Sequence, residues 1–136
     1  MAQDKCVAIK CEVKDIFDKK LTEPVLEQMD KTIQTLIDSS KAKGLYHDKR
    51  CKDGWLLTAK LVKLAVDDLD SPTSLEARLA VDGVPLFGTA NGFNASGKRK
   101  VSGISAKKIV QEAKSIVHEA LEDLMTKQVL PHMTKS

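Results

Sequence analysis

From Val7 to Val13 apolar residues fall at every second position, with Ala8, Lys10, Glu12 and Lys14 between and after them. A repeat of two places Val7, Ile9, Cys11 and Val13 on one side of an extended chain, which predicts a first strand with that side inward. The spacing then changes. Leu26, Met29, Ile33, Leu36 and Ile37 recur at three and four, the stripe of an amphipathic helix. Thr22 or Glu23 is its cap, Pro24 is tolerated in its first turn, and Ser39, Ser40 and Gly44 close it. Residues 39–54 carry five basic residues against two acidic ones and read as a polar loop, unless a short strand hides near Leu45 and Tyr46.

Strand formers dominate from Trp55 to Val66. Trp55, Leu57, Ala59 and Leu61 share one face; Leu56, Thr58, Lys60 and Val62 share the other, which is only half polar. That composition suits a central strand or one that touches a partner. Asp67, Asp68, Asp70, Ser71 and Pro72 then form a turn. Leu75, Ala77, Leu79 and Val81 alternate with Glu76, Arg78, Ala80 and Asp82, the clearest strand pattern in the chain. Asp82-Gly83 predicts a tight hairpin, with Val84 to Thr89 returning and Pro85 placing that strand at an edge, or standing where its missing N–H harms no ladder. Residues 88–103 hold four glycines and two asparagines and read as a second polar loop. A last helix starts near Ser105 and runs to about Lys127 or beyond, with Ile109, Ala113, Ile116, Val117, Ala120, Leu121 and Leu124 as its stripe and Pro131 ending or kinking it.

The order is β-α-β-β-β-α. It predicts an α+β fold: a mainly antiparallel sheet of about four strands, covered on one face by two helices. This order resembles that of the small sheet-and-helix domains of some bacterial envelope-assembly proteins. The resemblance is of element order and implies a fold; a fold does not carry function with it.

Length and composition narrow the classes. With 136 residues, 42% hydrophobic and 30% charged, the chain reads as one globular domain over residues 1–136. Cys6, Cys11 and Cys51 are an odd number in a chain that needs no stapling, so no secreted disulfide framework is expected. The polar opening, Met1-Ala2-Gln3-Asp4-Lys5, has no apolar signal core. Cytoplasmic residence and no membrane contact are the corresponding expectations.

Candidate chemistry is sparse. Gly92 to Lys98 matches the spacing of a phosphate-binding loop, but Arg99 stands where that loop needs Ser or Thr to ligate magnesium. A flexible basic segment is the simpler reading, with a passive anion nest at Gly97 to Lys100 as the alternative. His47 and Cys51 lie four positions apart, without the further closely spaced ligands of a structural zinc site. His118 can pair with Glu122 one helical turn on. No catalytic, cofactor-binding or metal-binding residue is assigned, no cofactor is implied, and an enzyme is not expected.

Two surfaces remain. Lys49, Arg50 and Lys52 sit in the first loop; Lys98, Arg99, Lys100, Lys107 and Lys108 sit in and after the second. If both loops share one edge of the sheet, they form a patch for nucleic acid or another polyanion. The half-apolar face of residues 55–66 instead suggests an interface involving Trp55, Leu56, Val62 and Leu64. The preferred reading is therefore a small protein-interaction or assembly module that self-associates, with a homo-oligomer or another protein as partner and polyanion binding as the alternative.

Overall fold

In the computed structural model, residues 4–88 and 91–134 are described. Met1 to Gln3 of the polar opening, Thr89 and Ala90 of the expected return and loop, and Lys135 and Ser136 lie outside them. The alternating start forms β1 (Lys5–Val13). Asp18 then accepts a hydrogen bond from the Lys20 amide at 3.0 Å and opens a short turn that leads into α1 (Thr22–Asp38). Of the two readings of residues 39–54, the hidden strand is the one found: β2 is Leu45–His47. Gly44 precedes it with a φ of 87°, a left-handed value that costs glycine nothing.

Three long strands follow: β3 (Trp55–Val66), β4 (Ser74–Pro85) and β5 (Phe93–Ser102). The sheet order is β2-β1-β3-β4-β5. β1 pairs in parallel with β2 and β3, while β3-β4 and β4-β5 are antiparallel. The α+β class holds, as a mixed sheet of five strands flanked by helices.

Two sequence expectations are corrected. Asp82-Gly83 is no hairpin. β4 runs straight through it, and Gly83 faces Phe93 on β5. A Cβ on Gly83 would lie 2.1 Å from the Phe93 ring, so this glycine is selected for space beneath an aromatic side chain. The second correction concerns the polar loop at 88–103, most of which is β5. Its inward positions include Gly97 and Arg99, and its outward ones are all polar, so the apolar alternation that marks a strand is missing. Edge strands tolerate this, because glycine and lysine there discourage pairing with a foreign strand.

The β3–β4 turn is held by Asp67, which accepts hydrogen bonds from the Thr73 amide at 2.8 Å, the Ser74 amide at 3.0 Å and the Thr73 hydroxyl. The Thr73 hydroxyl first, then the two amides, hold the Asp67 carboxyl well below the usual carboxylate range.

α2 (Ile109–Leu124) continues through a wider π-helical turn, Met125–Val129, into the short α3 (Leu130–Met133). Pro131 has no amide hydrogen for the carbonyl one turn back, and the widened turn lies just before it. Pro131 thus accompanies a distortion of the helix, the kinking alternative. One hydrophobic core lies between the helices and the inner sheet face. Val25, Met29, Ile33 and Ile37 of α1 and Ile116, Val117, Leu121 and Leu124 of α2 meet Val7, Leu57, Leu61, Leu79 and Val81. At the end where β3 begins, Trp55 packs against Phe87 and Phe93, with ring centroids 5.6 Å apart in both pairs.

The connection from β2 to β3 carries the main topological decision. His47 and Trp55 both pair with Val7, on opposite sides of β1, so β2 ends level with the start of β3. The chain need only step sideways over β1, roughly 10 Å for two strand spacings, which a seven-residue connection, Asp48 to Gly54, spans easily. It crosses on the side away from the helices, where Cys6 points. A Cys6–Cys51 disulfide fastens it there, and a Cβ on Gly54 would lie 1.9 Å from the Cys6 carbonyl oxygen. The expectation that the cysteines form no disulfide is therefore overturned. Their partnership spans 45 residues and follows from topology, which local spacing does not display.

Two predictions follow from these connections. Cys6→Ala/Cys51→Ala is expected to lose about 2–4 kcal/mol in urea unfolding. A reductant should weaken the parent protein equally and leave the variant unchanged; a parent insensitive to reductant would refute the linkage. For Asp67 the folded pKa is depressed, so its contribution is present above the unfolded value of about 3.9 and is lost as pH falls below it. Asp67→Asn should then be less stable than the parent at neutral pH, with the gap in urea midpoint narrowing below about pH 3.9.

Candidate functional site

The inner sheet face is filled by the helices; among the described residues no helix covers the outer face, and the Asp48–Gly54 connection lies over the start of β1 there. Register sets out that face in rows. Lys10, Thr58, Asp82 and Asn94 align across β1, β3, β4 and β5, and Glu12, Lys60, Ala80 and Ser96 form the next row. Ala8, Leu56 and Val84 make a third, apolar row. A bulge between Leu61 and Lys63 turns both Val62 and Lys63 to solvent. Val62 is 41% exposed and Val84 48%, while Leu56 is half-buried.

Acidic residues on this face are neutralised within it. Lys60 lies 3.2 Å from Asp82, which also accepts a hydrogen bond from Asn94. The Asn94 amide foremost, aided by Lys60, holds the Asp82 carboxyl below its ordinary range. Glu12 lies between Lys14 at 3.2 Å and Lys10 at 3.5 Å, and the hydrogen bond from Lys14 is the main cause of its lowered pKa. Glu76 pairs with Arg78 at 3.0 Å.

The expected interface residues separate. Leu56 and Val62 belong to the outer face, whereas Trp55 and Leu64 are buried in the core because they stand on the inward side of β3. The basic residues separate too. Lys49, Arg50 and Lys52 lie in the crossing connection beside β1 and β2, and Lys98, Arg99 and Lys100 lie on β5 at the other edge. The span from edge to edge is roughly 19 Å, four strand spacings. Lys107 and Lys108 occupy the short turn Ala106–Lys108 before α2. Even on β5 the charges part, because Lys98 and Lys100 point outward while Arg99 turns under the sheet to Glu119 at 2.9 Å. The shared edge on which the common basic patch depended does not exist. Gly97-Lys98 lies in an extended strand, with no helix start to cradle a phosphate.

Between α1 and α2 runs a groove of about 430 Å³, where a polar network crosses the helix pair. Gln28 donates to the Thr32 hydroxyl at 3.0 Å, and that hydroxyl is hydrogen-bonded to Nδ1 of His118 at 2.8 Å, with the Gln28 amide nitrogen 3.4 Å from the same ring nitrogen. His118 Nε2 then faces Glu122 at 3.2 Å, as its spacing on the helix implies. The order hydroxyl, imidazole, carboxylate has the look of a nucleophile relay. Two facts argue otherwise. Thr32 is only 3% exposed, and mid-helix amides are already bonded to carbonyls one turn back, so none is free to stabilise an oxyanion. The network satisfies a buried hydroxyl and joins the helices. Thr32 and His118 are 86 residues apart, and the only trace in the sequence is a threonine interrupting the stripe between Met29 and Ile33.

The cysteines offer no nucleophile. Cys51 and Cys6 are bonded to each other, so neither is a free thiol, and Cys51 is not available as a zinc ligand beside His47. Burial first, and the Asp30 carboxylate second, push the Cys11 thiol up to about 12, so it stays protonated at neutral pH.

No protein-family model and no curated protein sequence matches the chain. Solved structures share its fold. The PelC dodecamer from Paraburkholderia phytofirmans is 10% identical, over 93% of this chain and 89% of that one, with a TM-score of 0.59. The protein CT253 from Chlamydia trachomatis is 11% identical, over 97% and 98%, with a TM-score of 0.60. Lipoprotein GNA1162 from Neisseria meningitidis is 7% identical, over 85% and 96%, with a TM-score of 0.49. The chain is thus distantly akin in fold to a protein that forms a dodecamer. The expectations of cytoplasmic residence and of no membrane contact do not stand: several of the similar structures are lipoproteins by name. The Cys6–Cys51 disulfide is likewise a bond of oxidising compartments.

Thr32→Val is expected to cost about 1–2 kcal/mol in urea unfolding, because it removes the hydroxyl that Gln28 and His118 share. In a double-mutant cycle with His118→Ala the two losses should be clearly non-additive; additive losses would dissolve the network.

Proposed function

We propose that the chain is a self-associating, non-catalytic assembly module and that its contact surface is the uncovered face of the sheet. The observation that carries this reading is the apolar share of that face. Leu56 and Val84 pair at one end of that face, and Val62 and Ala80 stand together toward the other, with Thr58, Asp82 and Lys60 between them and no helix above. Exposed apolar groups set among paired charges on a flat, rigid sheet suit contact with another protein surface. The similar fold of the PelC dodecamer, a protein that assembles in twelve copies by its name, supports the same reading. The closed network between the helices and the protonated Cys11 supply no reactive group.

Size-exclusion chromatography with light scattering tests this directly. The parent should elute as a defined oligomer. Val62→Asp/Val84→Asp should elute as a monomer with an unchanged circular dichroism spectrum, since both side chains stand on the outer face and outside the core. A parent that stays monomeric at high protein concentration would end the proposal.

A further inference from the structure

Charge is divided unequally between the two layers of this molecule. α1 holds Glu23, Glu27, Asp30 and Asp38 against Lys31, and α2 holds Glu112, Glu119, Glu122 and Asp123 against Lys114. The two helices are therefore acidic in a chain whose formal net charge is +3, with Glu119 paired to Arg99 and Asp123 to Lys127, so the unpaired excess lies on α1. The outer sheet face has the opposite sign. Its acids, Glu12, Glu76 and Asp82, are each matched by a lysine or arginine on the same face or at its margin. Lys63, Lys98 and Lys100 are exposed there and form no ion pair among the described residues. They stand toward the corner where β3 ends and β4 begins. On α1, Glu23, Glu27 and Asp38 are likewise exposed and form no ion pair among the described residues.

We infer that the open sheet face of one copy docks on the acidic helix layer of a second copy, head to tail. This rests on the self-association proposed above and names the surface that the sheet meets. Two sheet faces brought together would oppose surplus lysines to surplus lysines, and like-charge contact across an interface is costly. Helix layer against sheet face instead brings the unpaired carboxylates of α1 to Lys63, Lys98 and Lys100. Lys98 and Arg78 also border a shallow depression of about 370 Å³ with Val62 and Ala80 in its lining. An apolar floor with a cationic rim accepts the methylenes and the carboxylate of a glutamate together. A contact between two different surfaces of one molecule leaves both ends open, so copies add until a ring closes or a filament grows.

The test uses two charge-reversed full-length variants, Lys98→Glu/Lys100→Glu on the sheet and Glu27→Lys/Asp38→Lys on α1. Each alone should assemble with an apparent Kd raised roughly tenfold or more. An equimolar mixture should regain the parent's oligomer by light scattering, because each reversed layer then meets a complementary one. Rising salt should dissociate the parent without changing its circular dichroism. Should the helix variant fail to fold, Glu27→Gln/Asp38→Asn applies the same test with less perturbation and should weaken assembly as well. If the helix variants assemble like the parent while the sheet variant does not, the sheet pairs with another sheet and the head-to-tail inference is overturned, with self-association intact. A parent that is monomeric in all salts overturns both.

Discussion

Two helices lie side by side on one face of a five-stranded sheet, and the other face has no such cover among the described residues. Much of the molecule follows from that one-sided burial. Every long strand must present apolar groups inward, and it is free to present charge outward. β3 shows the rule, with Leu57, Ala59 and Leu61 buried and Thr58 and Lys60 at the surface. The helices, with their apolar stripes turned down, carry most of their charge on the opposite side. Because that charge is acidic and the outer sheet face is basic, the layers become poles of a molecule with modest net charge. Polarity of this kind arises from which residues share a layer and is invisible in the total.

The sideways step over β1 is the second constraint. Parallel strands ordinarily need a long return, usually a helix. Here β1, α1 and β2 supply one such return, but β3 is reached without another because β2 stops where β3 begins. The crossing segment then lies close against the outside of β1. Gly54 permits the approach, and the Cys6–Cys51 bond secures it. Cys6 is buried beneath that segment even though it points away from the main core. The same arrangement keeps Lys49, Arg50 and Lys52 near one sheet edge and away from β5.

Between the helices, a buried threonine and a half-exposed histidine join α1 to α2 through hydrogen bonds that leave neither polar group stranded. A resemblance in atom order to a catalytic relay is not enough without access for a substrate and donors for the developing charge. The geometry therefore directs attention from the helix groove to the sheet, where exposure and charge leave the most interaction capacity unused.

The amino-acid sequence by itself determined the α+β class, the first strand, both helices and the two faces of β3, because each depends on a local period of two or between three and four. It also exposed the His118–Glu122 pair, which is one helical turn long. Tertiary structure decided the rest. β5 was hidden because an edge strand need not alternate, and Asp82-Gly83 looked like a turn although its glycine makes room for the Phe93 ring. Strand order separated the basic residues, and the crossing connection brought Cys6 to Cys51. These outcomes share a physical reason. They depend on which distant segments become neighbours, and a chain's local pattern records the face a residue must show but not the neighbour that face will meet.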